Sequence, residues 1–302
     1  MNHKISEVRL AGKDEGEVIR QKEIWKLCFG DSDSFIDFFF EHKYKEDETV
    51  LLLHDGEVNA RLTMLPVQIV AAGRHSFNTA MLYGIATHPD YQGRGLATRM
   101  MSFTHQYLKE KNNAFSVLVP AEKHLFDFYR KQGYEEGFYI REALLTRAKI
   151  ERLPTDKNVR CIIKGTAPKD YNQIRNKLLS GKLYIAYRDK EISYQKKISQ
   201  QSGADIFLIE IENARGCAAI ERISPGKVVI KEILISDDVL FEALKQIGKI
   251  FLADEYVIRM PTFVGEQLDG SSIRPFAMVK KTQEVKFKIA PGDLGYLGLA
   301  FD

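Results

Sequence analysis

One stretch of this 302-residue chain constrains its fold more than any other: Met81 through Thr98. It opens as an apolar run, Met81-Leu82-Tyr83-Gly84-Ile85-Ala86, breaks at His88-Pro89-Asp90, and enters a glycine-containing loop, Gln92-Gly93-Arg94-Gly95. From Leu96 the apolar spacing turns helical, with Leu96, Met100, Phe103 and Tyr107 recurring every three to four residues. The reading is strand, tight loop, helix. The first amides of a helix lack intrahelical partners and carry the positive end of its dipole. Gly93 and Gly95 let backbone approach a ligand closely because no Cβ intervenes. With Arg94 they form an anion cradle suited to a phosphate or pyrophosphate. It is not a Walker loop, for no Gly-Lys-Ser/Thr follows, and it lacks the three glycines of the dinucleotide fingerprint.

The loop Gln92-Gly93-Arg94-Gly95-Leu96-Ala97 resembles motif A of the GCN5-related N-acetyltransferases (GNATs), Gln/Arg-x-x-Gly-x-Gly/Ala. Further on, Phe128-Tyr129-Arg130-Lys131-Gln132-Gly133-Tyr134 resembles that family's second signature, Tyr-x-x-x-Gly-Phe/Tyr. The resemblance implies acetyl-CoA as co-substrate. The strand segment Ile85, Ala86 and Thr87 would meet the pantetheine arm, with the backbone of Ile85 and Thr87 pairing with its amides and polarising the thioester carbonyl. Gln92, Gly93, Arg94, Gly95, Leu96, Ala97 and Thr98 would hold the pyrophosphate, mostly through main-chain N–H groups. Tyr129 matches the tyrosine that protonates the departing thiolate. Its phenol, with a reference pKa near ~10, keeps its proton until a thiolate forms beside it. Tyr134 reads as structural, and so does His88 in its turn. Many GNATs place a glutamate base on the strand before the loop, but His75 to His88 contains neither Asp nor Glu. Glu122 stands where many members carry an asparagine touching the pantetheine, a departure from the pattern.

Length makes two domains the natural expectation. No apolar run approaches the ~18 residues of a membrane span, and the N-terminus has no apolar signal core. The three cysteines, Cys28, Cys161 and Cys217, show no metal-ligand spacing, which suits buried thiols in a reduced, cytoplasmic setting. A net charge of +3 gives no ground for nucleic acid or an anionic membrane as partner. The histidines form no H-x-x-x-H or H-E-x-x-H pair, so no metal is expected.

In order, residues 4–10 read as a strand. A helix carrying Val18, Ile19, Ile24, Trp25, Leu27 and Cys28 stops at Gly30, and a second, capped within Asp31-Ser32-Asp33-Ser34, carries Phe35, Ile36, Phe38, Phe39 and Phe40. These phenylalanines line an apolar acceptor pocket or belong to the core. Asp31, Asp33, Asp37 and Glu41 on the same helices would suit a polyamine or aminoglycoside, or are simply solvated. Strands are expected at 49–53, 57–70 and 75–87, a helix at 95–111, a strand at 114–119, a helix at 122–131 and a strand at 138–146. Residues 148–158 read as a linker. Beyond it come strand 159–164, helices 168–179 and 189–200, strands at 205–211, 215–223 and 228–235, a helix capped by Asp237-Asp238, and a strand at 255–260 before a tail.

The second half thus repeats the order of the first, except that Ile235-Ser236-Asp237-Asp238 occupies the loop position. Two carboxylates and no glycine would repel a phosphate. The expected fold class is α/β (α+β): two tandem GNAT-like domains, each a mixed, mostly antiparallel sheet flanked by helices, with 1–150 binding acetyl-CoA and 151–302 degenerate and lining the acceptor cleft. This arrangement resembles the Eis-type acetyltransferases, without the sterol-carrier-like domain that usually follows in them. Eis-type proteins use their own terminal carboxylate as base, which by resemblance assigns that role to Asp302, at the end of an apolar tail or of a frayed one. The activity implied is acetyl transfer from acetyl-CoA to a primary amine, of a small molecule or a lysine, by direct attack in a ternary complex. The alternative is a non-catalytic acyl-CoA-binding sensor. A homo-oligomer is left open.

Overall fold

The computed structural model describes residues 6–72, 75–156, 159–287, 289 and 292–301. They fall into two compact units: Met1–Gln68, Phe77–Glu135 and Met278–Lys288 in one, Ile69–Ser76, Glu136–Ala277 and Ile289–Asp302 in the other.

The first unit runs β1 (Ser6–Leu10), α1 (Glu15–Phe29), α2 (Asp33–His42), β2 (Thr49–His54), β3 (Glu57–Val70), β4 (Ser76–Thr87), α3 (Leu96–Glu110), β5 (Phe115–Leu118) and α4 (Lys123–Lys131). Local chemistry sets these bounds. Asp14 caps α1 by accepting from the amides of Gly16 and Glu17, and Gly30 ends it in the left-handed region at φ 72°. Ser32 caps α2 by accepting from Phe35 N–H. Asp55 and Gly56, at φ 52° and 81°, make the two-residue turn that a tight β2–β3 hairpin requires. Strand order is β1-β2-β3-β4-β5, with β1–β2 and β2–β3 antiparallel and β4–β5 parallel. The core lies between this sheet and the helices α3 and α4: Val50, Leu52, Leu62, Leu82, Met100, Met101, Leu118 and Tyr129 pack together. Each such side chain, fully buried, contributes roughly 1.5–3 kcal/mol.

The second unit adds β6 (Glu135–Thr146), α5 (Arg147–Glu151), β7 (Cys161–Gly165), α6 (Pro168–Leu178), β8 (Tyr184–Ala186), α7 (Asp189–Gln201), β9 (Ile206–Ile211), β10 (Ala214–Ser224), β11 (Lys227–Leu234), α8 (Leu240–Ile250), β12 (Glu255–Met260) and β13 (Ser272–Lys281). Its strands follow the order β6-β12-β11-β10-β9-β7, with β11–β12 parallel and β6–β12, β10–β11, β9–β10 and β7–β9 antiparallel. The series β7-α6-α7-β9-β10-β11-α8-β12 therefore repeats β1-α1-α2-β2-β3-β4-α3-β5, with β8 inserted. This is the expected α/β fold of tandem GNAT-like halves.

Each unit borrows a strand from elsewhere in the chain. Within the second, β6 pairs along β12 from Glu255↔Thr146 to Met260↔Arg141. Within the first, the end of β13 pairs with β5 from Met278↔Leu118 to Lys281↔Phe115. Both fifth strands are thereby spared a bare edge.

Three elements depart from the sequence expectation. Residues 147–151 form α5 inside the stretch expected as linker, because Ile150, 2 % exposed, packs into the second core. The short β8 and all of β13 were expected as irregular chain; Pro275 and the charged ends of β13 disguise its apolar Phe276-Ala277-Met278-Val279. Asp237 does not cap α8: its carboxylate accepts from Gly265 N–H at 2.6 Å, holding a loop whose Val264 and Leu268 join the core with Met260.

Candidate functional site

The pairing of β4 with β5 runs from Thr79↔Phe115 to Leu82↔Leu118 and ends there. β5 stops, Val119 and Pro120 follow, and β4 continues alone to Thr87 on that side. At the departure, Gly84 sits at φ 57°. A Cβ there would lie 3.0 Å from Arg61 Nη1 and 3.3 Å from the Trp25 ring, so both conformation and space demand glycine. His88 N–H donates to Asn59 of β3. By strand alternation the backbone of Thr87, and of Ile85 two residues before it, faces the opposite edge that β5 has left. Thr87 C=O there accepts from Cys28 Sγ at 3.2 Å and from Gln92 Nε2 at 3.1 Å. The side chain of Ala86 joins a buried cluster with Ile24 and Leu51, while Ile85 packs with Leu82 and Met100 on the other face.

The loop that follows leaves backbone amides exposed. Gly93 and Gly95 both lie at φ 73°, with nothing within 4 Å of an added Cβ: conformation alone selects glycine, and the space above is open. Gly95 is the N-cap of α3, and no side chain caps the helix. Its first amides are left for a ligand. Arg94 donates to Asp90 C=O at 2.8 Å and lies 5.1 Å over the Tyr91 ring, an exposed cation beside those amides. Leu96, Ala97 and Thr98 form the first turn, half-buried, and Thr98 Oγ1 accepts from Gln132 Nε2 at 3.0 Å. That bond ties the start of α3 to the end of α4.

Tyr129 on α4 belongs to the core cluster that includes Leu82 and against which Ile85 and Leu96 pack. Its ring is buried, which pushes the phenol up to about 12. Its hydroxyl has no hydrogen-bond partner among the described residues and is not sealed from solvent. Tyr134 behaves differently. It contacts His105 Nε2 at 2.9 Å and Ser116 Oγ at 2.8 Å, and Lys280 Nζ lies 3.4 Å from His105 Nδ1. An ammonium only donates, so Nδ1 accepts and Nε2–H donates to Tyr134, which shares a further hydrogen bond with Ser116. Burial, with Lys280 beside it, pushes the His105 imidazole down to about 4. This closed chain fixes the α4–β6 turn, and Tyr134 is structural.

The helices α1 and α2 carry the aromatic wall. Phe38 and Phe39 are core, whereas Phe40 is half-buried. Trp25 meets Phe39 at 4.5 Å and Tyr83 at 5.7 Å between ring centroids. Around them three of the four acidic side chains are engaged, while exposed Glu41 lies 3.9 Å from His42 Nδ1. Asp31 accepts from Trp25 Nε1 at 2.8 Å, Asp33 pairs with Lys26 at 2.8 Å, and Asp37 with Lys22 at 2.7 Å.

Arg61 of β3 is the residue that sequence reasoning missed. It is completely buried and, among the described residues, has no carboxylate partner; Nε donates to Gln21 at 3.3 Å and Nη2 to Thr63 at 2.8 Å, and Nη1 donates to none of them. The guanidinium lies 4.8 Å from the Trp25 ring and 5.6 Å from each of Phe39 and Phe40. Burial pushes it down to about 10. A desolvated cation–π contact is worth about 2 kcal/mol, while burying an unpaired charge costs several kcal/mol, so the stack offsets only part of the cost. The signals were an arginine inside the apolar run Val58–Val70 and a glycine in the middle of the next strand.

Asp302 lies outside the described residues. The tail before it is ordered within the second unit: Tyr296 C=O accepts from Ile185 N–H at 2.9 Å, Leu299 C=O accepts from Tyr187 Oη at 2.6 Å, and Phe301, 1 % exposed, packs on Tyr187 and Tyr194. Glu122 is an exposed residue at the start of α4, 3.2 Å from His124 Nδ1. No cluster of three or more His, Cys, Asp or Glu able to hold a metal occurs among the described residues, and no helix among them is long and apolar enough to cross a membrane.

Residues 7–137 match the family described as an acetyltransferase (GNAT) domain. No curated protein matches the sequence. Among solved structures, a GCN5-related N-acetyltransferase from Anabaena variabilis superposes with a TM-score of 0.72 at 15% identity, over 92% of this chain and 73% of its own. Eis1 from Mycobacterium abscessus does so at 0.65 and 12%, over 91% of this chain and 74% of its own. A tandem GNAT protein from the clavulanic acid biosynthesis pathway does so at 0.56 and 10%, over 93% and 100%.

Proposed function

We propose that this chain, which carries an acetyltransferase (GNAT) domain over residues 7–137 in a fold shared with Eis-type and tandem GNAT proteins, transfers an acetyl group from acetyl-CoA to a primary amine. The observation that carries the reading is the conjunction at one place of an unpaired strand edge, β4 beyond Leu82, and a helix start without a side-chain cap, α3 at Gly95. One presents backbone to an amide-bearing arm, the other to a pyrophosphate.

In this reading the amides of Ile85 and Thr87 orient the pantetheine, and the one nearer the thioester stabilises charge developing on its carbonyl oxygen. Main-chain groups from Gln92 to Thr98, with Arg94, hold the pyrophosphate. The amine nitrogen bonds to the acetyl carbon, the C–S bond breaks with its electrons on sulfur, and Tyr129 gives its proton to the thiolate. The free Tyr129 hydroxyl supports that role, and its raised pKa keeps the phenol protonated at neutral pH. The terminal carboxylate of Asp302 accepts the amine proton, an assignment that rests on the resemblance to Eis-type proteins alone. The second unit supplies no cofactor loop: Asp237 holds Gly265 in that position instead.

The test is calorimetric titration with acetyl-CoA followed by thiol-release assays on a panel of amines. Binding with turnover is expected. Binding with no turnover on any amine would favour an acyl-CoA sensor, and no binding would remove the reading of Gln92 to Thr98 altogether.

A further inference from the structure

The buried cation at the base of the aromatic wall has a consequence for the acceptor. Arg61 is fully enclosed, two of its three guanidinium nitrogens are hydrogen-bonded to neutral side chains, and Nη1 donates to none of the described residues. No carboxylate among the described residues is hydrogen-bonded to it. Its nearest titratable neighbours are the phenols of Tyr44 and Tyr83, and Asp31, Asp33 and Asp37 on the adjoining helices already have partners. Nη1 is directed at Gly84, the residue at which β4 parts from β5 and where a side chain would strike it. A donor is thus held unused beside the strand end from which the thioester is read. Phe40, Tyr44 and Tyr83 around it are only half-buried, and a ligand would reach the guanidinium past these rings.

We infer that Arg61 receives the carboxylate of the acceptor, which is therefore a carboxylated primary amine with an apolar body, such as an aromatic α-amino acid, and not a polycation. The inference rests on the acetyltransferase reading above for the fate of the amine, but not for the binding itself. A guanidinium fork matches a carboxylate in shape as well as charge. The walls of Trp25, Phe39 and Phe40 supply apolar contact, and a polycation would meet the fixed positive charge of Arg61.

The experiment compares matched pairs by calorimetry on the full chain without acetyl-CoA: L-phenylalanine against phenethylamine, and L-tryptophan against tryptamine. Each pair differs only by the carboxylate. The carboxylated member is expected to bind about 10- to 100-fold more tightly, the worth of a hydrogen bond to a charged group. Arg61→Met, which keeps the length and removes the charge, should erase the difference. Equal affinity within pairs, no binding of either amino acid, or a preference that survives in Arg61→Met overturns the inference. So does an effect of Arg61→Met on acetyl-CoA affinity alone. Should Arg61→Met fail to fold, Arg61→Lys keeps the charge without the fork and must lose most of the preference. A parallel acetyl-CoA titration separates the two proposals: acetyl-CoA binding without carboxylate preference sinks this one and leaves the transferase reading standing.

Discussion

Replacing Tyr129 by Phe removes one oxygen from a site where it makes no hydrogen bond to any described residue. The ring remains in its cluster with Leu82 and Met100, so stability at neutral pH should change by no more than about 0.5 kcal/mol. Acetyl-CoA affinity should hold as well. The loss falls on the step in which the thiolate departs. General acids contribute roughly 10²–10⁴-fold, and because this hydroxyl is not sealed, water can partly replace it. The expected fall in kcat is therefore near the lower bound, about 100-fold, or about 2.7 kcal/mol of transition-state stabilisation. Thiol release under single turnover measures it free of product release. A second readout is alkaline stability. Burial raises the Tyr129 phenol to about 12 in the fold, against a reference near ~10 in the unfolded chain. The raised pKa gives stability that is complete below about pH 10 and lost as pH climbs through about 12, on the order of 3 kcal/mol. Tyr129→Phe should lose less stability than the parent across that window. An unchanged single-turnover rate would end the acid role, and an unchanged alkaline difference would show that the phenol is not held in its neutral form by burial.

Other expectations follow from the same geometry. Gly93→Ala and Gly95→Ala meet no neighbour, so each should cost only the left-handed backbone strain of about 1–2 kcal/mol. Acetyl-CoA affinity should fall by more than that stability loss explains, as titration of the folded variants would reveal; wild-type affinity would discount the cradle. In the second unit Arg175 and Glu232 pair at 2.9 Å, both fully buried, with Tyr171 donating to the same carboxylate at 2.7 Å. Glu232→Gln should destabilise by about 3–5 kcal/mol by denaturant titration, while replacing both residues by apolar ones should recover much of it. Deleting Asp302 should slow turnover with little change in Tm, since the packed tail residue is Phe301; full activity would assign the base elsewhere.

Much was legible in the chain because it is written locally. The loop from Gln92 to Gly95 announces itself by glycines whose left-handed φ no other residue adopts cheaply, and α3 announces itself by its apolar period. Asp14, Ser32 and Gly30 punctuate their helices through bonds to neighbours a few residues away, and Asp55-Gly56 closes its hairpin in the same way. The order of elements in both halves followed from such signals, and with it the resemblance that suggests the chemistry. Tyr129 belonged to a short pattern too.

What tertiary structure decided depended on partners far apart in sequence. No local signal says that β13 leaves the chain's second half to pair with β5, or that β6 pairs with β12, since strand partners are chosen by edges and burial. The family resemblance led to an open strand end at Ile85 to Thr87, but only the structure shows that β4 outruns β5 after Leu82. Arg61 is the clearest instance. Read along the chain it is one arginine among 44 lysines and arginines, and only the fold encloses it under Trp25, Phe39 and Phe40 with one donor unused. Periodicity determines which residues turn inward, but what an inward charge meets is fixed by the packing of strands and helices brought together from distant parts of the chain.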